Sequence, residues 1–157
     1  MATKDRIYIE KEFVPVADRL VLRRIPGSDT AEGVFRDTRE LVAFAAGLGY
    51  RKKKQHELKV NGREIKLTAL ENIEKGGAQL LNAIAIAEGG GVDILLPERV
   101  DERAIILEKY VNGGLEYISG ITEEETALET IVEIIKSEHA PDSKVKDVIG
   151  SLRLRKL

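Results

Sequence analysis

The chain contains no cysteine. That excludes a disulfide framework and thiolate chemistry, and it makes a reducing cytoplasm the expected setting. It also contains no tryptophan, and aromatic residues make up only 4%, too little ring surface for a base-stacking platform of the single-strand-binding kind. No window reaches the roughly 18 apolar residues of a membrane span, and the charged start, Met1 to Asp5, carries no apolar signal-peptide core. Charge of one sign is also missing. The net charge is −2, so a site for nucleic acid must be a local cluster rather than a property of the whole surface.

Catalytic signatures are absent as well. His56 and His139 stand far apart, and neither has a partner at a recognised ligand spacing. Gly89-Gly90-Gly91 lacks a following Gly-Lys-Ser/Thr and succeeds a helical pattern rather than a strand, which argues against a phosphate loop. No nucleophile elbow is present. The carboxylates Asp93, Glu98, Asp101 and Glu102 are numerous enough to hold a metal in a nuclease reading, but charged loops are ordinarily just solvated. The expectation is a protein that is not an enzyme, with no cofactor and no metal.

What is present is a mainly α chain. Hydrophobic residues at 43% supply a core and charged residues at 33% supply a soluble surface. The length suits a single helical domain over 1–140, with a short N-terminal strand and a β-hairpin at 57–67, followed by a basic tail or short helix over 141–157. Arg6 to Lys11 alternates and predicts a strand with Ile7 and Ile9 inward and Arg6, Tyr8 and Glu10 outward. A helix over about 12–24 follows, with Pro15 in its first turn. The next helix is capped by Asp29 or Thr30, includes Val34 and Phe35, and ends at Gly47 and Gly49. Immediately beyond lie Arg51, Lys52, Lys53 and Lys54, the densest positive charge in the chain, placed where a helix C-terminus favours cations.

Strand, helix, loop, helix is also the order of a ribbon-helix-helix unit. In that unit two copies pair their strands in the major groove, so Arg6 and Tyr8 would meet base edges and the chain would be a homodimer. The alternative is an edge strand packed on a helical domain. Asn61-Gly62 between alternating residues predicts the hairpin, whose Lys59 and Arg63 would extend the basic cluster. Leu80 to Ala87 is apolar nearly all round and predicts a helix at the centre of the core. Val100 to Ile118 recurs at helical spacing, with Asn112-Gly113-Gly114 either a break or a thin place where another helix crosses. Thr122 to Glu125 reads as a capping box, after which Leu128, Ile131, Val132 and Ile135 face the core.

Three blocks carry a resemblance. Leu41 to Tyr50 followed by basic residues is one, and Leu80 to Glu88 is the second. The third runs from Asp101-Glu102-Arg103 into Glu108-Lys109-Tyr110-Val111-Asn112-Gly113-Gly114-Leu115-Glu116. Together they resemble the DNA phosphorothioation-associated (Dnd system-associated) small proteins of bacterial defence systems, over about Arg6 to Ser119 and not clearly past Pro141. The resemblance implies DNA as the eventual target and supplies no catalytic motif. Two roles fit this setting: the basic cluster and the candidate ribbon strand support the first, and the near-neutral charge and missing catalytic groups support the second. One is a DNA-binding accessory or regulator of phosphorothioation-dependent restriction, contacting double-stranded DNA through Arg51 to Lys54, Arg6, Tyr8, Lys59 and Arg63. The other is an adaptor among the defence proteins.

Overall fold

A computed structural model of the chain describes residues 4–24, 26–27, 31–121 and 127–139. Its centre is a pair of long helices, α2 (Thr38–Arg51) and α5 (Val100–Ser119), which make the most extensive contact in the fold. Leu41, Val42 and Ala45 of α2 and Ala104, Val111, Leu115 and Ile118 of α5 are fully buried. Around them lie β1 (Arg6–Glu10), a 3-10 turn and α1 (Val14–Leu20), the two-residue strands β2 (Arg23–Arg24) and β3 (Ala31–Glu32), β4 (Asn61–Lys66), α3 (Leu67–Leu70), α4 (Gly77–Gly89) and α6 (Ala127–His139). One hydrophobic cluster runs through them from Ile7 to Ile134. The mainly helical expectation holds, and among the described residues no helix is long and apolar enough to cross a membrane.

The Asn112-Gly113-Gly114 ambiguity resolves as a crossing point. Helix α5 passes through it without interruption. A Cβ on Gly114 would stand 1.9 Å from the Ala45 carbonyl oxygen, and one on Gly49 would stand 2.2 Å from that of Tyr110. Each helix therefore presents bare backbone where the other crosses it. Gly49 serves this crossing and Gly47 also lies inside α2, so neither ends the helix.

The hairpin at 57–67 does not form. Asn61-Gly62 opens β4 instead of turning, and neither residue has the positive φ that a tight hairpin turn needs. Gly62 is there for a different reason: a Cβ on it would come within 2.4 Å of the Ile9 carbonyl oxygen. β4 pairs antiparallel with β1, setting Ile7 opposite Ile65 and Tyr8 opposite Glu64.

Other boundaries move for local reasons. Residues 31–35 turn back on the end of α1 through β2–β3 and a Val21–Phe35 bridge, so α2 starts later than its apolar pattern suggests. Its cap is Asp37, whose Oδ1 accepts from Arg39 N at 2.9 Å and Glu40 N at 3.1 Å. The Arg39 guanidinium beside it holds the Asp37 carboxyl below its ordinary range. The Asp29 or Thr30 cap, the Thr122 to Glu125 box and the 141–157 tail lie outside the described residues. Helix α4 is peripheral, burying Leu81, Ile84 and Ala85 but leaving Leu80 41% exposed. Helix α6 is rotated from the expected face: Ile131 and Ile134 are buried, whereas Leu128, Val132 and Ile135 are exposed.

Candidate nucleic-acid interface

The ribbon arrangement requires β1 to offer a free edge, and it has none. One edge pairs with β4. The other is covered by two side chains of α5. Glu108 Oε2 accepts from Tyr8 N at 2.9 Å. Asn112 Oδ1 accepts from Glu10 N at 2.8 Å, and Asn112 Nδ2 donates to Tyr8 O at 2.9 Å and to Glu108 O at 3.0 Å. The spacings explain why a helix can do this. Four residues of helix rise about 6 Å, and two residues of strand advance about 6.6 Å. Glu108 and Asn112 therefore meet successive outward-pointing peptide groups of β1 as a neighbouring strand would. A second copy cannot pair there without breaking these bonds.

The predicted strand contacts are also engaged. Arg6 donates to Glu64 Oε1 at 2.7 Å and Asp5 Oδ1 at 3.1 Å. Tyr8 lies with its hydroxyl 3.4 Å from Glu64 Oε2 and with Lys4 Nζ 5.6 Å from its ring centre. Arg63 pairs with Asp18. Lys59 is exposed, and its backbone N donates to Glu10 Oε2 at 2.8 Å. Glu10 itself does not face out; it is 3% exposed and takes the Lys59 and Val60 amides on its carboxylate.

The end of α2 is different. Lys54 N donates to Gly49 O at 2.8 Å and Lys53 N to Tyr50 O at 3.1 Å, the paired bonds of a Schellman motif. That motif needs a left-handed residue, ordinarily glycine. Here it is Lys53, with φ 54°. A non-glycine residue in that region costs about 1–2 kcal/mol, and cost of this kind concentrates at functional positions. Arg51 and Lys52 are held from the other side by Glu138 of α6: Arg51 reaches both its carboxylate and its carbonyl, and Lys52 reaches the second carboxylate oxygen. Lys52 Nζ also sits 5.1 Å from the Tyr117 ring centre. Two of the four consecutive cations thus share one carboxylate. Lys53 and Lys54 make no ion pair among the described residues.

Sequence reasoning found the basic cluster but not its clamp, because Glu138 comes from a helix distant in the chain. It also missed the polar groups behind β1. Their signal is there in retrospect: Glu108 and Asn112 stand four apart within the apolar pattern of α5, at positions where solvent does not reach. The acidic residues of the nuclease reading do not converge. Asp101 accepts from Lys4 N at 2.7 Å, and Glu102 pairs with Arg99.

The Glu138 clamp has a pH consequence. Lys52 first, and Arg51 with it, lowers the Glu138 carboxyl below its ordinary 4.5. A lowered folded value means stability that is present above 4.5 and lost as pH falls through the folded value. The protection of α6 amides relative to their intrinsic exchange rates should therefore fall selectively in acid below that point, and Glu138→Gln should abolish the selectivity. An equal loss of protection in acid in the variant would exclude the clamp as its cause.

A family model described as DNA sulphur modification system-associated protein 4 matches residues 14–152. The match begins after β1 and runs past Pro141, further than the three sequence blocks reach. Comparison with curated proteins and with solved structures gives no match.

Proposed function

The chain belongs to the DNA sulphur modification system-associated protein 4 family, and from that premise we propose that it is a non-enzymatic accessory of phosphorothioation-dependent restriction that contacts double-stranded DNA through the turn Arg51–Lys54. The observation that carries this reading is the Schellman turn with lysine in the glycine position, which keeps Lys53 and Lys54 projecting beside the clamped Arg51 and Lys52. The helix end is the negative pole of the dipole and attracts no phosphate itself, so affinity comes from the side chains alone, as phosphate contacts without base readout.

The test uses Lys53 and Lys54, because reversing Lys52 would also unseat α6. In a salt titration of duplex binding, Lys53→Glu with Lys54→Glu should reduce the slope of log affinity against log salt by about 2, with the fold unchanged by circular dichroism. An unaltered slope overturns the DNA contact.

A second reading is supported by the outer face of α6. Leu128, Val132 and Ile135 recur one turn apart and are 60%, 37% and 42% exposed, with Leu80 of α4 at 41%. An apolar stripe of this kind suits a protein partner, the adaptor role within the same system. Retention of other proteins of the system from cells, with no salt-dependent duplex binding in vitro, favours the adaptor.

A further inference from the structure

Behind the basic turn the chain gathers an unusual set of groups. Glu10 ends β1, Glu12 lies in the 3-10 turn after it, and His56 lies in the connection that follows Lys54. One ligating atom from each falls within 4.8 Å of the others. His56 is held in place before any ligand is considered. Its backbone N donates to Lys109 O at 3.0 Å. Its ring meets Phe13 edge-on with centres 5.0 Å apart.

The two ring nitrogens have different surroundings. Nδ1 lies 3.2 Å from Glu116 Oε2 on α5. A carboxylate can only accept, so Nδ1 carries the proton. In the neutral ring, Nε2 is then a bare lone pair. That atom is buried and has no hydrogen-bond partner, in a side chain only 10% exposed. It faces Glu10 Oε2 across 4.0 Å. Two acceptors facing each other repel, and 4.0 Å is too long for a proton to bridge as a hydrogen bond. The gap suits two ligands of one cation, since bonds of about 2.0–2.2 Å place ligand atoms about 3–4.2 Å apart, depending on the angle.

We propose that Glu10, Glu12 and His56 bind a divalent transition-metal ion that fastens β1 and the turn after it to the connection beyond Lys54. An imidazole with two carboxylates selects ions of the manganese-to-zinc series over calcium and magnesium, which take all-oxygen sites. The Glu10 carboxylate is oriented by the Lys59 and Val60 amides, at 2.8 Å and 3.2 Å. Glu116 holds the imidazole from outside, as an outer carboxylate commonly does for a ligating histidine. Glu12 is exposed, so the ion is reached from solvent and keeps water on its open side. No sequence spacing announces this site, because its ligands meet only when β1 packs beside the connection. It stands on its own geometry and is independent of the DNA reading.

The experiment is calorimetric titration of the untagged, chelator-treated full chain with Zn²⁺ and Mn²⁺, with Ca²⁺ as control. Saturation at one Zn²⁺ or Mn²⁺ per chain is expected, with Ca²⁺ much weaker. Glu12→Gln, at an exposed position that leaves the fold intact, should weaken binding about tenfold or more, and Glu116→Gln about 10–100-fold. His56→Gln should abolish it. No saturable uptake would overturn the site, and so would uptake indifferent to both Glu12→Gln and His56→Gln. A ¹⁵N spectrum showing both His56 ring nitrogens protonated at pH 7 with metal present would also overturn it, by assigning the gap to an imidazolium.

Discussion

Gly114→Ala is expected to cost about 3 kcal/mol of unfolding free energy or more, read as a lower urea midpoint with an unchanged m-value. In an ordinary exposed helix the same change stabilises by about 1 kcal/mol, so even its sign is diagnostic. Here the new Cβ would lie 1.9 Å from the Ala45 carbonyl oxygen, 2.6 Å from its carbon and 2.9 Å from its Cα. All three are backbone atoms, so no side chain can rotate out of the way. The only relief is for α2 and α5 to part. That separates the two helices that contribute the most buried side chains. Gly113 has the same relation to the connection after α2, with a Cβ 1.9 Å from the Lys54 carbonyl oxygen. The control is Gly120→Ala at the end of α5, where the nearest atom would be at an ordinary 3.5 Å. It should lie within about 0.5 kcal/mol of the parent. If Gly114→Ala were no less stable than Gly120→Ala, the close crossing would be wrong.

The crossing was half legible in the sequence, and its legibility marks where sequence reasoning stops. Periodicity showed that Val100 to Ile118 is a helix, and two adjacent glycines in it required either a break or a close neighbour. Only the three-dimensional placement of Ala45 chooses between them. Local signals that depend on a few adjacent residues carried through in the same way: Pro15 does sit in the first turn of α1, and Ile7 and Ile9 are fully buried. Signals that other parts of the chain can override failed. Asn61-Gly62 has the chemistry of a hairpin turn, but β1 offered β4 a distant strand to pair with, and the turn was not needed. Glu10 alternates outward in the strand pattern, yet its carboxylate is turned in to take amides from the 54–60 connection. The outer stripe of α6 is apolar, and periodicity alone assigns every apolar residue of a helix to the core. The basic cluster was legible as composition; its left-handed lysine and its Glu138 clamp were not, because both depend on how α2 ends against α6.

Asn112→Leu is the second large effect. The side chain is fully buried, and leucine fills about the same space, so cavity formation is minor. What changes is hydrogen bonding. The Asn112 carboxamide presents one acceptor and two donors, and the fold uses all of them: Glu10 N on the oxygen, Tyr8 O and Glu108 O on the nitrogen. Leucine removes every one. The Glu108 carbonyl keeps its place in the helix, but Tyr8 O and Glu10 N on the outer edge of β1 lose their partner. An orphaned buried polar group costs about 1–3 kcal/mol, so two of them predict a loss of about 2–6 kcal/mol. Asn112→Asp separates polarity from geometry. Its carboxylate can still accept from Glu10 N but cannot donate to Tyr8 O, and it adds a negative charge one helical turn from the buried Glu108. It should be at least as damaging as leucine at neutral pH and should recover part of the loss in acid, where a protonated carboxyl regains a donor and sheds its charge. Leucine should show no such recovery. Hydrogen exchange at Glu10 N should rise in the leucine variant, which leaves it without an acceptor, relative to Ile7 and Ile9, whose residues pair on the β4 side; the aspartate variant keeps that acceptor and should protect Glu10 N better. If the leucine variant left Glu10 N protected, the edge of β1 would have found another partner, and the case that α5 closes this strand against a second chain would fall with it.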